Sequence, residues 1–228
     1  MANEKPIADA DASLAQPIIR TIGAADLRDA LTRGLDDFKA KPSHVVILVM
    51  LYPVVGLILI RLAAGYEMLP LIFPLIAGFT LIGPLAATGL YELSRRREQG
   101  LDVSWRHAFD VLRSPSIRAI AALGAVLLAI FFAWLGAALA IYELIFGSWV
   151  PASIAEFARQ VFTTSSGWAL IIVGCGVGFL FAVVVLTISV VSFPLLLDRD
   201  VGAVTAVQTS VRAVLANPKT MALWGLIV

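Results

Sequence analysis

The apolar run that begins at Gly78 passes through Gly83-Pro84 and ends at three arginines, residues 95–97, and this boundary constrains the fold more than any other feature. Positively charged residues beside an apolar segment are retained on the cytoplasmic side of a membrane. Because a bilayer core is about 30 Å thick and a helix rises about 1.5 Å per residue, roughly 20 apolar residues cross it. The boundary therefore predicts a membrane helix that ends in the cytoplasm.

Other apolar segments are also long enough to span a bilayer. Hydrophobic residues make up 60% of the chain and charged residues 14%, which is typical of a membrane protein. The predicted spans are residues 45–64, 68–90, 117–146 and 168–197. A further apolar segment starts at residue 221 and stops at Val228, so we expect the natural protein to continue and to contain about six membrane helices. The predicted fold class is an all-α, polytopic transmembrane helical bundle.

Lysine and arginine are distributed unevenly between the two sides of the predicted bundle. Of the 17 Lys and Arg residues, only Arg61 and Arg159 lie opposite the arginine triplet. This asymmetry places the N-terminus in the cytoplasm. Residues 1–43 lack the charged start and apolar core of a signal peptide. We therefore expect a flexible cytoplasmic tail at 1–24 and a single membrane domain at 25–228.

Each predicted cytoplasmic connection contains a short amphipathic segment that ends before a proline. These in-plane helices are predicted at residues 25–41, 104–114 and 203–216, before Pro42, Pro115 and Pro218. In the second helix, the apolar face at α-helical spacing consists of Trp105, Ala108, Phe109 and Leu112. Proline disfavours helical geometry in the preceding residue, so each helix should stop there and lead into a membrane hairpin. The alternative is that such connections are amphipathic only because they lie at an interface.

Two groups of residues form distinctive strings. The first group is Asp26-Leu27, Ala30-Leu31, Gly34, Asp37-Phe38 and Pro42. The second group is Gly78-Phe79, Gly83-Pro84, Gly89-Leu90-Tyr91-Glu92 and Ser94-Arg95-Arg96, with Pro194 near the end of the fourth span. Together they resemble an uncharacterised family of bacterial integral membrane proteins, domain of unknown function 2189. The resemblance implies a six-helix protein of the bacterial inner (cytoplasmic) membrane without an established substrate, and labels carried by some relatives point to respiratory oxidases.

Two glycine-containing features are candidate helix-packing sites. Gly83-Pro84 breaks the hydrogen-bond ladder of the second span, which gives either a fixed kink for packing or, as in some transporters, a binding site. Gly174 and Gly178 place a small-residue strip on the fourth span, against which another backbone can pack closely. That backbone belongs either to the same bundle or to a different protein.

The basic end of the second span is a candidate contact for lipid headgroups or for a partner on the cytoplasmic side. The residues concerned are Arg95, Arg96, Arg97 and Trp105. Retention of this end in the cytosol is the simpler explanation of the arginines, and attraction to anionic headgroups is the functional one. Glu92, Glu98 and Asp102 lie nearby and dilute the positive charge, which disfavours a nucleic-acid partner.

The sequence predicts no catalytic, cofactor-binding or metal site, and hence no cofactor. His44 and His107 lie on different elements, and Cys175 is the single cysteine. The leading hypothesis is a non-enzymatic accessory, assembly or scaffold component of a larger membrane complex, whose partners are the lipid bilayer and other membrane proteins or a second copy. The alternative is a transporter or channel for a small solute or an amphiphile, and a membrane-embedded enzyme ranks third.

Overall fold

The computed structural model describes residues 17–40, 50, 53, 54, 56–58, 61 and 69–228. Every regular element in this part of the chain is helical. The α-helices are α1 Ala24–Ala40, α2 Ile72–Phe79, α3 Gly83–Ala86, α4 Thr88–Glu98, α5 Ile117–Phe146, α6 Ile154–Thr163, α7 Ser165–Ser189, α8 Ser192–Asp198, α9 Ala203–Ala216 and α10 Pro218–Ile227. The 3₁₀ helices are Leu69–Leu71, Thr80–Ile82 and Trp105–Arg113. The predicted all-α class is confirmed for these residues.

Three helical stretches among the described residues are long and apolar enough to cross a membrane. They are Leu69–Glu98, Ile117–Phe146 and Ser165–Asp198, at the positions predicted as 68–90, 117–146 and 168–197. The first predicted span, 45–64, lies largely outside the described residues. The total of about six membrane helices and the pairing of spans into hairpins stay predictions.

The described chain packs as two compact units. Unit 1 comprises Met1–Leu48, Pro84–Gly124 and Leu186–Val228, and unit 2 comprises Val49–Gly83 and Ala125–Val185. A unit boundary falls inside each of the three spans, so every span contributes one end to unit 1 and the other end to unit 2. The core of unit 1 includes Leu93, Ile120, Leu123, Phe193, Leu196 and Ala206, and that of unit 2 includes Leu127, Phe131, Trp134, Ala138 and Val161.

The first described span is interrupted beside Gly83-Pro84. The Gly83 N–H donates to the Thr80 carbonyl, three residues back, which makes residues 80–82 a 3₁₀ turn. Pro84 has no N–H to donate, so the regular α-helical ladder does not continue through it. A turn at Ala87 then separates α3 from α4. The helix is thus irregular on both sides of the Gly-Pro pair.

The segment predicted as the second in-plane α-helix is the 3₁₀ helix Trp105–Arg113, called the connecting helix below. With about three residues per turn, Arg106, Phe109 and Leu112 share one row, and Ala108 and Val111 lie on another. Ala108 and Val111 are buried, whereas Phe109 is 51% and Leu112 is 67% exposed. The single apolar face predicted from a spacing of about 3.6 residues per turn is therefore wrong, because this segment is wound more tightly.

The other two predicted in-plane segments are α-helices whose bounds lie close to the predicted ones. α1 ends at Ala40, close to the predicted end at residue 41, and Pro42 lies outside the described residues. α9 has the predicted bounds of 203–216, and Asn217 separates it from α10. Pro218 is the first residue of α10, a position that tolerates its missing N–H. The helix that contains the final apolar segment therefore starts at residue 218, three residues before the apolar residues begin.

Candidate functional site

The arginine triplet in unit 1 is bonded to acidic partners, and the innermost partner is Glu92. Arg95 Nε lies 2.9 Å from Glu92 Oε2, and Arg95 Nη2 lies 2.9 Å from Glu92 Oε1. This two-bond fork is the strongest geometry for an arginine and a carboxylate. The Glu92 residue is only 3% exposed, so its charge is held in a nearly dry position by one arginine.

The other two arginines connect α4 to two different elements. Arg96 donates to Asp110 of the connecting helix, with Nη1 and Oδ2 3.4 Å apart, and to the Asp102 carbonyl at 3.1 Å. Arg97 donates to Asp37 of α1, and the same carboxylate accepts a hydrogen bond from Ser94. Two segments predicted to be cytoplasmic, α1 and the connecting helix, are therefore bonded to the basic end of this span.

Consecutive residues of an α-helix point about 100° apart, because about 3.6 residues complete a turn. This geometry explains why three adjacent arginines reach three separate carboxylates. It also changes the interpretation of the triplet as a headgroup contact, since all three guanidinium groups already have an acidic partner within the protein. Of the four residues predicted for that contact, Trp105 alone lies on the connecting helix.

Gly89 permits the close approach of the connecting helix to α4. A Cβ placed on Gly89 would lie 3.2 Å from Ala108 Cβ and 3.3 Å from the Ala108 carbonyl oxygen. At the start of the connecting helix, the Ser104 N–H donates to His107 Nδ1 at 3.0 Å. His107 therefore serves as a local helix cap, and Gly89 as the contact point of two helices.

Asn217 fastens the chain segment that precedes α1. Its side-chain oxygen accepts from the Ile22 N–H at 2.8 Å, and its amide nitrogen donates to the Arg20 carbonyl at 3.0 Å. Thr220 adds a hydrogen bond from its hydroxyl to the Ile22 carbonyl at 3.0 Å. Asn217 is buried, and its hydrogen bonds to this segment are partly buried. These hydrogen bonds between Asn217, Thr220 and residues 20–22 are called the Asn217 latch below. The only sequence signal for it was a polar residue next to a proline at a predicted helix end.

We expect Asn217→Ala to release residues 20–22, because the substitution removes both side-chain bonds to this segment. Losing two partly buried hydrogen bonds with a net value of about 1 kcal/mol each corresponds to roughly tenfold or greater acceleration of amide exchange. Hydrogen–deuterium exchange with mass spectrometry on the detergent-solubilised chain measures the exchange rate of these amides. Gln208→Ala, an exposed substitution on α9, is the control. Equal exchange of residues 20–27 in both variants would contradict the latch.

The turn after the connecting helix, which contains Pro115, also holds a distant segment of the chain through a polar side chain. Ser116, which follows Pro115, is buried and donates through its hydroxyl to Asp200 Oδ1 at 3.2 Å. Asp200 lies in the segment that precedes α9. In both cases a polar residue next to the proline of one in-plane helix holds the lead-in segment of another.

In unit 2, Trp134 is enclosed by two glycines from different helices. A Cβ placed on Gly78 would lie 2.4 Å from Trp134 Cδ1, and one placed on Gly178 would lie 3.0 Å from Trp134 Cη2. The indole N–H donates to the Pro74 carbonyl at 2.8 Å, and Trp134 is 4% exposed. Gly178 therefore accommodates an aromatic ring, whereas the sequence predicted that this strip meets another backbone.

An apolar groove of about 290 Å³, called the Trp134 groove below, lies beside this ring. Its lining consists of Phe73, Ala77, Thr80, Leu81, Trp134, Gly174, Cys175, Gly178, Phe179 and Ala182. The Thr80 hydroxyl already donates to the Ala77 carbonyl at 2.6 Å, which makes this wall less polar. No heavy atom lies within 4 Å of a Cβ placed on Gly174, so the groove is open at this residue.

The structure thus distributes the predicted site residues over two separate places. Gly174 and Gly178 belong to the Trp134 groove, and the arginine triplet belongs to a polar cluster in unit 1. The sequence analysis assigned no role to Trp134 or Asn217, and it named Gly78 only as part of a family string and not as a packing contact. Within the described residues, no group of three or more His, Cys, Asp or Glu side chains is arranged to hold a metal ion.

Comparison with known proteins gives one family match. A family model described as a predicted integral membrane protein matches residues 72–198, which is more than half of the chain. The match includes the strings around Gly83-Pro84 and residues 89–96, and it begins after the N-terminal strings at 26–42. No curated protein matches the chain, and no solved structure matches it.

Proposed function

Because the chain belongs to the family of predicted integral membrane proteins called domain of unknown function 2189, we propose that it is a non-enzymatic accessory, assembly or scaffold component of a larger membrane complex. The Trp134 groove carries this proposal. It is an apolar recess on spans that cross the membrane, and it is open at Gly174. The proposed occupant is a bulky apolar side chain from a transmembrane helix of the partner.

The physics of helix association in lipid supports such a contact. Lipid tails are as apolar as leucine, so membrane helices associate through van der Waals packing, which small residues at the interface improve. A groove of about 290 Å³ lies at the lower limit of the roughly 300–1,000 Å³ typical of small-molecule sites. This size favours insertion of a side chain over enclosure of a solute.

The proposal includes a location. We place the protein in the bacterial inner membrane with its N-terminus in the cytoplasm, and a respiratory complex is the first candidate assembly. The support for this orientation is the distribution of Lys and Arg, which leaves only Arg61 and Arg159 on the opposite side. The fastening of α1 to Arg97 through Asp37 agrees with a common side for α1 and the basic end of the span.

Gly174→Leu tests the proposal, because leucine fills the groove from a position where its Cβ meets no other atom. We expect the partner to be recovered with the wild-type chain and about tenfold less with Gly174→Leu, which corresponds to about 1.4 kcal/mol of lost contact. Affinity purification from native membranes in mild detergent, with quantitative mass spectrometry, measures the recovery.

Gly176→Leu is the matched control, since Gly176 lies on the same helix, also has open space at its Cβ, and does not line the groove. Both variants gain the same helix propensity from replacing glycine. A partner that both leucine variants retain equally would contradict docking in the groove. A wild-type chain that migrates alone in every growth condition would contradict the accessory role itself.

A transporter for an amphiphile is the second candidate, and the break in the first span favours it. Thr80 and Leu81 of the irregular segment line the Trp134 groove, and interrupted helices form the binding sites of several transporters. Vesicles that contain the protein would then move a fluorescent lysophospholipid across the bilayer faster than protein-free vesicles, and Gly174→Leu would slow this movement. Equal rates with and without protein would exclude this function.

A further inference from the structure

The connecting helix presents a row of exposed side chains that no other element covers in the described part of the chain. The row consists of Arg106, Phe109 and Leu112, called the outward stripe below. It arises because about three residues complete a 3₁₀ turn, so residues three apart lie in line. The neighbouring row, with Ala108 and Val111, is buried in unit 1. The helix is thus anchored by one face and leaves the outward stripe for an external partner.

The arginines of this helix have no ion-pair partner among the described residues, whereas its acid does. Its one acid, Asp110, is bonded to Arg96 of α4. Arg106 and Arg113 are exposed, and neither has a carboxylate partner among the ion pairs of the described residues. The nearest exposed acids in sequence, Glu98 and Asp102, precede the helix and are not part of the outward stripe.

Aromatic contacts place the Arg106 cation beside the apolar part of the stripe. The Arg106 guanidinium carbon lies 5.7 Å from the centre of the Trp105 ring, within the range of a cation–π interaction. The Trp105 and Phe109 rings meet edge to face, with centroids 6.2 Å apart. Tryptophan is enriched where a membrane meets water, and arginine extends to headgroups while its stem covers apolar surface.

Chain connectivity places this helix at a membrane surface. It lies within residues 99–116, which join the spans Leu69–Glu98 and Ile117–Phe146. A connection of this length between two consecutive spans stays close to the face at which both spans end. Polybasic segments beside a membrane helix attract anionic lipids, and amphipathic helices bury their apolar side chains at the boundary of headgroups and acyl chains.

We propose that the outward stripe, together with Arg113, is a docking surface for anionic phospholipids. Phe109 and Leu112 enter the acyl boundary, and Arg106 and Arg113 bind phosphate groups. In this assignment the headgroup contact is the outward stripe and not the arginine triplet, because the three arginines of the triplet are paired with carboxylates of the protein. It does not depend on what occupies the Trp134 groove.

A label on Leu112 tests the proposal on the full chain. Leu112→Cys in a Cys175→Ser background carries a single bimane fluorophore, and the protein is reconstituted in nanodiscs of phosphatidylcholine and phosphatidylglycerol. Nitroxide on the acyl chain of either lipid then quenches the label. We expect nitroxide-labelled phosphatidylglycerol to quench more than phosphatidylcholine at equal mole fraction. Arg106→Gln and Arg113→Gln should each lower this preference about fivefold.

Arg159→Gln is the charge-matched control, because it removes an exposed arginine from α6 of unit 2. It should leave the lipid preference at Leu112 unchanged, whereas 1 M salt should reduce the preference by screening. Equal quenching by both lipids in the unsubstituted background would overturn the anionic preference. A label quenched by neither lipid would show that the stripe faces water and serves a soluble protein instead.

Discussion

Gly78→Ala is expected to lower the free energy of unfolding by about 2 kcal/mol, despite the gain in helix propensity of about 1 kcal/mol that alanine brings. The added Cβ would lie 2.4 Å from Trp134 Cδ1 and 2.8 Å from Nε1. The ring cannot move away easily, since its N–H is bonded to the Pro74 carbonyl and Gly178 closes its other side. Unfolding in mixed detergent micelles, followed by tryptophan fluorescence, measures the change.

Gly136→Ala provides the matched control for this prediction. Gly136 lies two residues from Trp134 on α5, and no heavy atom lies within 4 Å of a Cβ placed there. Its substitution should leave stability unchanged or raise it by up to about 1 kcal/mol. If Gly78→Ala and Gly136→Ala unfold at the same detergent concentration, the close fit around Trp134 is wrong. A Trp134→Ala background should reduce the loss of stability caused by Gly78→Ala, because no ring then remains for the added Cβ to meet.

Glu92→Ala is expected to lower the free energy of unfolding by about 3 kcal/mol, at the lower end of the range for breaking a buried ion pair. The substitution leaves Arg95 without its two-bond partner and opens a small cavity beside α4. We expect the loss in free energy of unfolding to stay at the lower end of this range, because the Arg95 side chain is 36% exposed and retains some contact with water. Chemical unfolding of the detergent-solubilised protein, monitored by circular dichroism, gives the value.

Glu98→Ala is the appropriate comparison, as Glu98 is exposed at the end of the same helix. An exposed substitution of this kind changes stability by less than about 0.5 kcal/mol. Glu92→Gln should fall between the two variants, since the amide oxygen still accepts one hydrogen bond from Arg95. A cost for Glu92→Ala no larger than that for Glu98→Ala would show that the pair contributes little.

The positions of the three spans among the described residues were predictable because they depend on local composition, although the first helical stretch continues to Glu98, past the predicted end at residue 90. A run of apolar residues as long as 117–146 must avoid water, and only a helix satisfies its backbone within lipid. The irregularity beside Gly83-Pro84 was predictable for a similar reason, since proline lacks the N–H that a regular helix needs at that point. These inferences use only a residue and its immediate neighbours in the chain.

The winding of the connecting helix was not predictable in this way. Its residues fit an α-helical apolar face, yet it is a 3₁₀ helix that presses Ala108 against Gly89. The energy of that contact depends on a residue in another helix, which local periodicity does not include. The same holds for the packing of Trp134, whose ring contacts Gly78 and Gly178 from helices far apart in the chain.

The sequence by itself determined that this is an integral membrane protein with several apolar spans, because transfer free energies of apolar residues are nearly additive along a chain. Only the tertiary structure decided the partners of the charged and small residues. In the sequence the three arginines at 95–97 form one basic patch. In the structure each pairs with a different carboxylate, because consecutive residues of a helix point in different directions. Pairing depends on distance in space, which the order of residues does not specify.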